Sequence, residues 1–181
     1  GGAWASSFCN QLGIRFPQAS VRSSILSVGP GVKDLPAALH TARVSLTQRG
    51  DGGYTLAISG RASVDPTLQQ LRFGNAFLPM FQRRWKSLKV GGIEGLRSGH
   101  ETLAKWALDR PTPMERRRVL DPVPDAALIS ETHRRAVELL PSLSSVKIAA
   151  SWAGYIDSTP DGVPAIGELP QLPGFILAAG F

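Results

Sequence analysis

Few residues of this chain stand at spacings that do chemistry on their own. Asp157 and Asp161 lie four positions apart and could form a carboxylate pair, but Asp161 belongs to Thr159-Pro160-Asp161-Gly162, where a turn explains it alone. His40, His100 and His133 lack the spacing of metal ligands, and no metal site is expected. The sequence has no Gly-x-Ser-x-Gly elbow to place a hydrolytic serine. It also has no Gly-x-Gly-x-x-Gly between a strand and a helix to cradle a dinucleotide. No catalytic side chain can therefore be assigned from the residues alone.

The stretch from Trp152 to Phe181 carries the most information. It reads as an apolar strand ending near Ile156, the 159–162 turn, a short strand from Val163 to Ile166, a Pro173-Gly174 turn and a buried strand from Phe175 to Ala179. The last strand runs into Gly180. A strand followed by glycine often delivers backbone close to a ligand.

Length and composition set the frame for these segments. The 181 residues suit one domain with a sizeable core, or a domain with a small appendage, and 43% hydrophobic with 19% charged residues is ordinary for a globular protein. A single cysteine, Cys9, excludes an internal disulfide. No apolar run approaches a membrane span and no signal-peptide pattern opens the chain. The net charge of +6 is uneven, at +3, +7 and −4 over residues 1–60, 61–120 and 121–181. Basic clusters at Arg83-Arg84, Lys86, Lys89 and Arg116-Arg117-Arg118 would suit nucleic acid or an acidic surface. A solvated helix face and loop is favoured, since no nucleic-acid-binding motif accompanies them, and no nucleic-acid partner is expected.

The elements alternate. Trp4, Phe8 and Leu12 share a face of a short helix over Ala3–Leu12 that Gly13 would stop. Ala19 to Val28 reads as a strand, and Ala42–Thr47, Arg49-Gly-Asp-Gly-Gly53 and Tyr54–Ile58 as a hairpin. Leu35–His40 is a short helix candidate. Asp65-Pro66 is a capped helix start, after which Leu71, Phe77, Leu78, Phe81, Trp85 and Leu88 recur at helical spacing up to Gly91-Gly92. Pro79 should split that helix in two, and the aromatic stripe reads as core. A helical stretch around Glu101–Leu108 should break at Pro111-Thr-Pro113, and Asp125 should cap a helix over Ala126–Leu140 with Leu128, Ile129, Thr132, Ala136, Val137 and Leu140 inward. Strand Val146–Ile156 follows. The expected class is α+β, a mixed, largely antiparallel sheet with helices packed on one face.

Taken together, Trp152-Ala-Gly, Thr159-Pro-Asp, Pro164-Ala-Ile-Gly167 and Leu177-Ala-Ala-Gly-Phe181 resemble the C-terminal part of the FAD-dependent amino-acid oxidase and dehydrogenase family, which includes D-amino-acid oxidase, glycine and sarcosine oxidases and proline dehydrogenases. Gly1-Gly2-Ala3-Trp4-Ala5-Ser6 resembles the family's turn from flavin domain to substrate domain, and Asp51–Leu56 and Leu120-Asp-Pro122 keep the order between the two ends. The resemblance implies oxidation of an amino acid or secondary amine by hydride transfer to FAD. It places Gly1, Gly2, Ala3, Trp4, Gly154, Gly180 and Phe181 at the cofactor and Tyr155, Ile156 and Asp157 at the substrate pocket. In side-chain alternation, Ile156 faces the substrate and its two neighbours the other way. Glycine oxidases carry a carboxylate-binding arginine where this chain has Ile156, so the substrate carboxylate would need another cation. At Gly154, where sarcosine oxidases carry a flavin-linked cysteine, there is no thiol, which implies non-covalent FAD.

The resemblance further divides the chain into 1–13, the end of a flavin domain, 14–156, the substrate domain, and 157–181, strands returning to the flavin domain, with the main FAD-gripping segments outside it. It implies a small-molecule amine or amino-acid substrate and oxygen or a membrane quinone as electron acceptor. The expected location is the cytoplasm or the membrane periphery. A non-catalytic binding or assembly module of the same fold is the competing expectation.

Overall fold

The structure is a computed structural model and describes residues 2–93, 95–96, 101 and 103–181. The chain forms two compact units. One comprises 1–22, 62–120 and 155–181, the other 23–61 and 121–154. Strand β1 (Ala19–Val28) and strand β7 (Ile148–Ser158) each run through a boundary between units, and β7 pairs with β1.

The second unit is built on a hairpin. Strands β3 (Ser45–Gln48) and β4 (Tyr54–Ala57) pair antiparallel with Leu46 opposite Leu56, and β1 continues the ladder with Leu26 opposite Leu56. Their turn closes with the Arg49 N–H donating to the Gly53 carbonyl at 2.8 Å, and Gly52 sits at φ +81, which side-chain-bearing residues rarely adopt. Helix Ala126–Leu139, capped by Asp125 through the N–H groups of Ala127 and Leu128, brings Ile129 and Ala136 onto Leu26, Val28, Val44, Leu46, Tyr54 and Leu56. Leu35–His40 forms no helix: Ala38–His40 is strand β2, with Leu39 opposite Leu46. Six residues hold too few helical hydrogen bonds to offset nucleation, while the hairpin edge offers a ready ladder.

In the first unit the apolar residues fall on other faces than their spacing suggests. A 3₁₀ turn (Gly2–Trp4) leads into helix α1 (Ala5–Gln11), whose buried residues are Ala5, Ser6, Ser7 and Cys9. Phe8 and Leu12 are exposed. Small Ala5 and Cys9 allow close approach of Leu177 and Ala179 on strand β9 (Leu172–Ala179), so close packing wins over side-chain size. Strand β8 (Ala165–Leu169) pairs antiparallel with β9 through a turn at Pro170-Gln171. The expected Pro173-Gly174 turn is instead part of β9, near a register shift at Glu168/Leu169.

Helix α2 (Leu68–Arg84) is one piece that retains Pro79. Its inward positions are Gln69 and Phe73, fully buried, with Ala76, Phe77 and Met80 half-buried, spaced as one helical face. That continuous contact on both sides of Pro79 offsets the missing backbone hydrogen bond. Leu71, Leu78, Phe81 and Trp85 are exposed rather than core, since steps of seven put 71, 78 and 85 on a separate stripe. The cap is Thr67, not Asp65. Strand β5 (Ala62–Val64) pairs antiparallel with β1 and parallel with β6 (Leu88–Val90), which makes the sheet mixed and mostly antiparallel. Residues 103–107 are irregular, and the helix falls at Pro113–Arg116 (α3), where Thr112 and Glu115 form a capping box and Pro113 starts the helix it was expected to break. Ala126–Leu139 is therefore α4. The α+β class with a mixed, largely antiparallel sheet stands.

Glu101 is 3% exposed and ties two elements of this unit. It accepts from the Ser20 N–H at 2.6 Å and from the Thr67 hydroxyl. Burial pushes its carboxyl above the ordinary 4.5, against those hydrogen bonds, which favour the anion. A raised folded pKa stabilises fully below the unfolded value and is lost as pH rises through the folded one. Glu101→Gln imitates the protonated acid, so its melting temperature relative to wild type should rise from pH 4 to pH 8, measured by thermal unfolding in full-length protein; a flat difference would refute the assignment.

Candidate functional site

Gln18, fully buried at the start of β1, joins the two ends of the chain within the first unit. Its Oε1 accepts from the Ser6 N–H at 2.8 Å, and its Nε2 donates to the Gly2 carbonyl at 2.6 Å and to Asp157 Oδ2 at 3.2 Å. The same Asp157 oxygen accepts from the Gly180 N–H at 2.7 Å. The carboxylate of β7 thereby fixes the glycine after β9, while the carboxamide fixes the turn before α1. Nothing in the sequence marked Gln18, which stands alone between Pro17 and Ala19 without a motif.

The two glycines are held in conformations that need glycine. Gly2 has φ +57 with no atom within 4 Å of where a Cβ would stand, so its exposed backbone is open to a flat or anionic group. Gly180 has φ +87, and a Cβ there would lie 2.7 Å from Thr159 Cγ2. This backbone, brought together by Gln18 and Asp157, fits a cofactor met by main-chain groups rather than by side chains. Ala3 is buried, Trp4 half-buried and Phe181 67% exposed. Gly154 is half-buried in the second unit, with nothing within 4 Å of a would-be Cβ. Gly1 lies outside the described residues, as does His100.

Along β7 the side chains alternate. Asp157 is 8% exposed, Ile156 44%, and Tyr155 half-buried with its hydroxyl donating to Asp65 Oδ2 at 3.5 Å. Asp65 is held by the Arg22 guanidinium in a fork, Nε to Oδ2 at 2.8 Å and Nη2 to Oδ1 at 3.0 Å. Burial, and then the charge of Asp65, raise the Tyr155 phenol above 10, so it stays a donor. Sequence reading took Asp65 for a cap and missed this pair.

The turn after β7 closes with the Gly162 N–H donating to the Thr159 carbonyl at 3.1 Å. Asp161 Oδ1 accepts from the Val163 N–H at 3.0 Å, and this contact first, then Thr159, keeps its carboxyl below 3.8. Asp161 thus serves the turn, apart from Asp157 in its buried node. Cys9 is fully buried, and desolvation raises its thiol. Among the described residues no cluster of His, Cys, Asp and Glu could hold a metal, and no helix is long and apolar enough to cross a membrane.

Gln18→Leu keeps the volume while stranding the buried Ser6 N–H, a loss worth roughly 1–3 kcal/mol, and removes the contacts to the Gly2 carbonyl and Asp157. Chemical denaturation should show an unfolding free energy lower by about 2 kcal/mol or more, and a loss below about 0.5 kcal/mol would show that water replaces the amide.

The pattern of the family described as DAO, FAD dependent oxidoreductase, matches residues 1–181. Glycine oxidase from Pseudomonas putida is 38% identical over 60 residues, 33% of this chain and 16% of that protein. Among solved structures, L-amino acid deaminase from Proteus myxofaciens shares the fold at TM-score 0.88 and 20% identity, covering 99% of this chain and 40% of its own. L-proline dehydrogenase from P. horikoshii follows at TM-score 0.62 and 19% identity, covering 99% of this chain and 35% of its own. This chain thus spans well under half the length of the proteins it resembles. With the match running from its first residue to its last, the chain belongs to the DAO family of FAD-dependent oxidoreductases.

Proposed function

We propose that this chain is the substrate-side part of an enzyme that oxidises an amino acid or secondary amine, with residues 14–156 forming the substrate domain and residues 1–13 and 157–181 belonging to the flavin domain. The carrying observation is the Gln18 node, which gathers the Gly2 carbonyl, the Asp157 carboxylate and the Gly180 N–H at backbone free of side chains. When bound, FAD supplies the two-electron acceptor for the bond between hydrogen and the carbon next to nitrogen. Gly2, Ala3, Trp4, Gly154, Gly180 and Phe181 then meet the cofactor, Gly180 with its amide held by Asp157. Gly1 joins them. FAD is non-covalent in this reading, because the chain's one thiol, Cys9, is buried. Oxygen or a membrane quinone takes the electrons on, from a protein in the cytoplasm or at the membrane periphery.

At the substrate, exposed Ile156 provides an apolar wall, Tyr155 lends its half-buried ring, and Asp157 positions the strand end rather than exchanging protons. An apolar wall suits proline's ring or an N-alkyl amine. A carboxylate pressed on it needs a cation from elsewhere, since an unpaired buried charge is costly.

Full-length protein should purify yellow, and its flavin absorbance should bleach when a panel of amino acids and secondary amines is added without oxygen. A colourless protein would instead support the non-catalytic module. Ile156→Arg should lower kcat/KM for the bleaching substrate at least tenfold while leaving the flavin bound; an unchanged kcat/KM would remove Ile156 from the pocket.

A further inference from the structure

Beside the 159–162 turn, the last turns of α2 and the tip of that turn enclose a cleft of about 420 Å³, within the ~300–1,000 Å³ range of small-ligand pockets. Its walls combine an apolar floor with three charges. Pro79, Met80 and Pro160 supply the floor, Arg83 and Arg84 two guanidiniums, and Asp161 a carboxylate. All of these residues belong to the first unit, and none is Tyr155, Ile156 or Asp157. Neither arginine has an ion-pair partner among the described residues, and Asp161 pairs with neither. Asp161 Oδ1 accepts from the Val163 N–H, and Thr159 also meets this carboxylate, whose remaining lone pairs can accept from a ligand.

Two arginines outside the ion pairs of the described residues, an exposed carboxylate and an apolar floor in one cleft define the ligand's chemistry. A plain carboxylate would answer the arginines and be repelled by Asp161. A plain amine would do the reverse. A zwitterion satisfies both, its carboxylate on the guanidiniums and its ammonium on the Asp161 carboxylate, with an apolar side chain covering Met80 and the two prolines. We propose that the Arg83, Arg84 and Asp161 cleft binds a free α-amino acid with an apolar side chain, at a site separate from the Tyr155–Asp157 strand. The arginines sit in the last turn of α2, where the negative end of the helix favours cations. Asp161, fixed by its own turn, sets where the ammonium goes.

The probe is racemic α-methylphenylalanine, an apolar zwitterion without an α-hydrogen, so oxidation cannot consume it. Calorimetric titration of the full-length protein should show saturable binding, at least fivefold tighter than 3-phenylpropionate or phenethylamine. Arg83→Gln combined with Arg84→Gln should weaken it tenfold or more. Asp161→Asn keeps the Oδ1 acceptor for Val163 and should erase the preference over 3-phenylpropionate. Ile156→Arg should leave this binding unchanged. All four positions are exposed, so the variants are expected to fold. No saturation in wild type, equal binding by the double arginine variant, or a single binding event that Ile156→Arg abolishes would each overturn the assignment. The readout needs no redox turnover: a colourless protein that binds the probe through Arg83 and Arg84 keeps this site while the oxidoreductase reading fails.

Discussion

The first unit depends on one buried carboxamide. Gln18 has no exposed surface, and its side chain answers a donor in Ser6 and acceptors in Gly2 and Asp157. Its own carbonyl accepts from Gln69 Nε2 at 3.0 Å, which brings α2 to the same point. A neutral amide suits this place because it donates and accepts at once. A carboxylate would face Asp157 with a like charge, and an apolar residue would leave backbone groups dry and unpaired. Segments far apart in sequence thereby share one polar centre, and the glycines it holds adopt positive φ without floating free.

Around that centre the unit places its charges in pairs of unequal kind. Asp65 is almost fully buried and is held by the planar fork of Arg22, with the Tyr155 hydroxyl as a third contact. Glu101 is equally buried but is met only by neutral donors, so its proton becomes the cheaper way to lose charge. The contrast lies in the partners, a guanidinium for Asp65 and neutral N–H and O–H donors for Glu101. Arg22 and Ser20 are two residues apart on β1, and that strand serves both acids by different groups, the Arg22 side chain at Asp65 and the Ser20 backbone N–H at Glu101.

How much of this was legible in the sequence follows from the range of the forces involved. β1, the β3–β4 hairpin and the Asp125-capped helix were readable, because alternation, the Arg49–Gly53 turn and an N-cap act over a few residues. The outward stripe of α2 was misread, because one helix carries apolar residues on two faces and only packing decides which is buried. The same holds for α1, where small Ala5 and Cys9 turn inward and Phe8 outward, edge-on to Trp106 with ring centroids 5.8 Å apart. Gln18, Asp65 and Glu101 were invisible as partners, since each answers groups 12 or more positions away. Family motifs carried the rest, because they preserve order and spacing where no local rule applies.

Strand β7 shows what such a scaffold leaves for chemistry. Alternation commits Tyr155 and Asp157 to internal partners and turns Ile156 outward. Two polar side chains of the strand, Tyr155 and Asp157, are thus spent on position, and between them Ile156 leaves the outward surface apolar. For Asp157 itself to act as an acid or base, its carboxylate would have to leave the Gly180 N–H, which would release the glycine it fixes. Flavin chemistry makes no such demand, since the cofactor accepts the electrons and the protein supplies orientation. Under the proposed function, this strand would hold the substrate against the cofactor through Ile156 and do no acid–base work of its own, because the Asp157 carboxylate is committed to the Gly180 N–H.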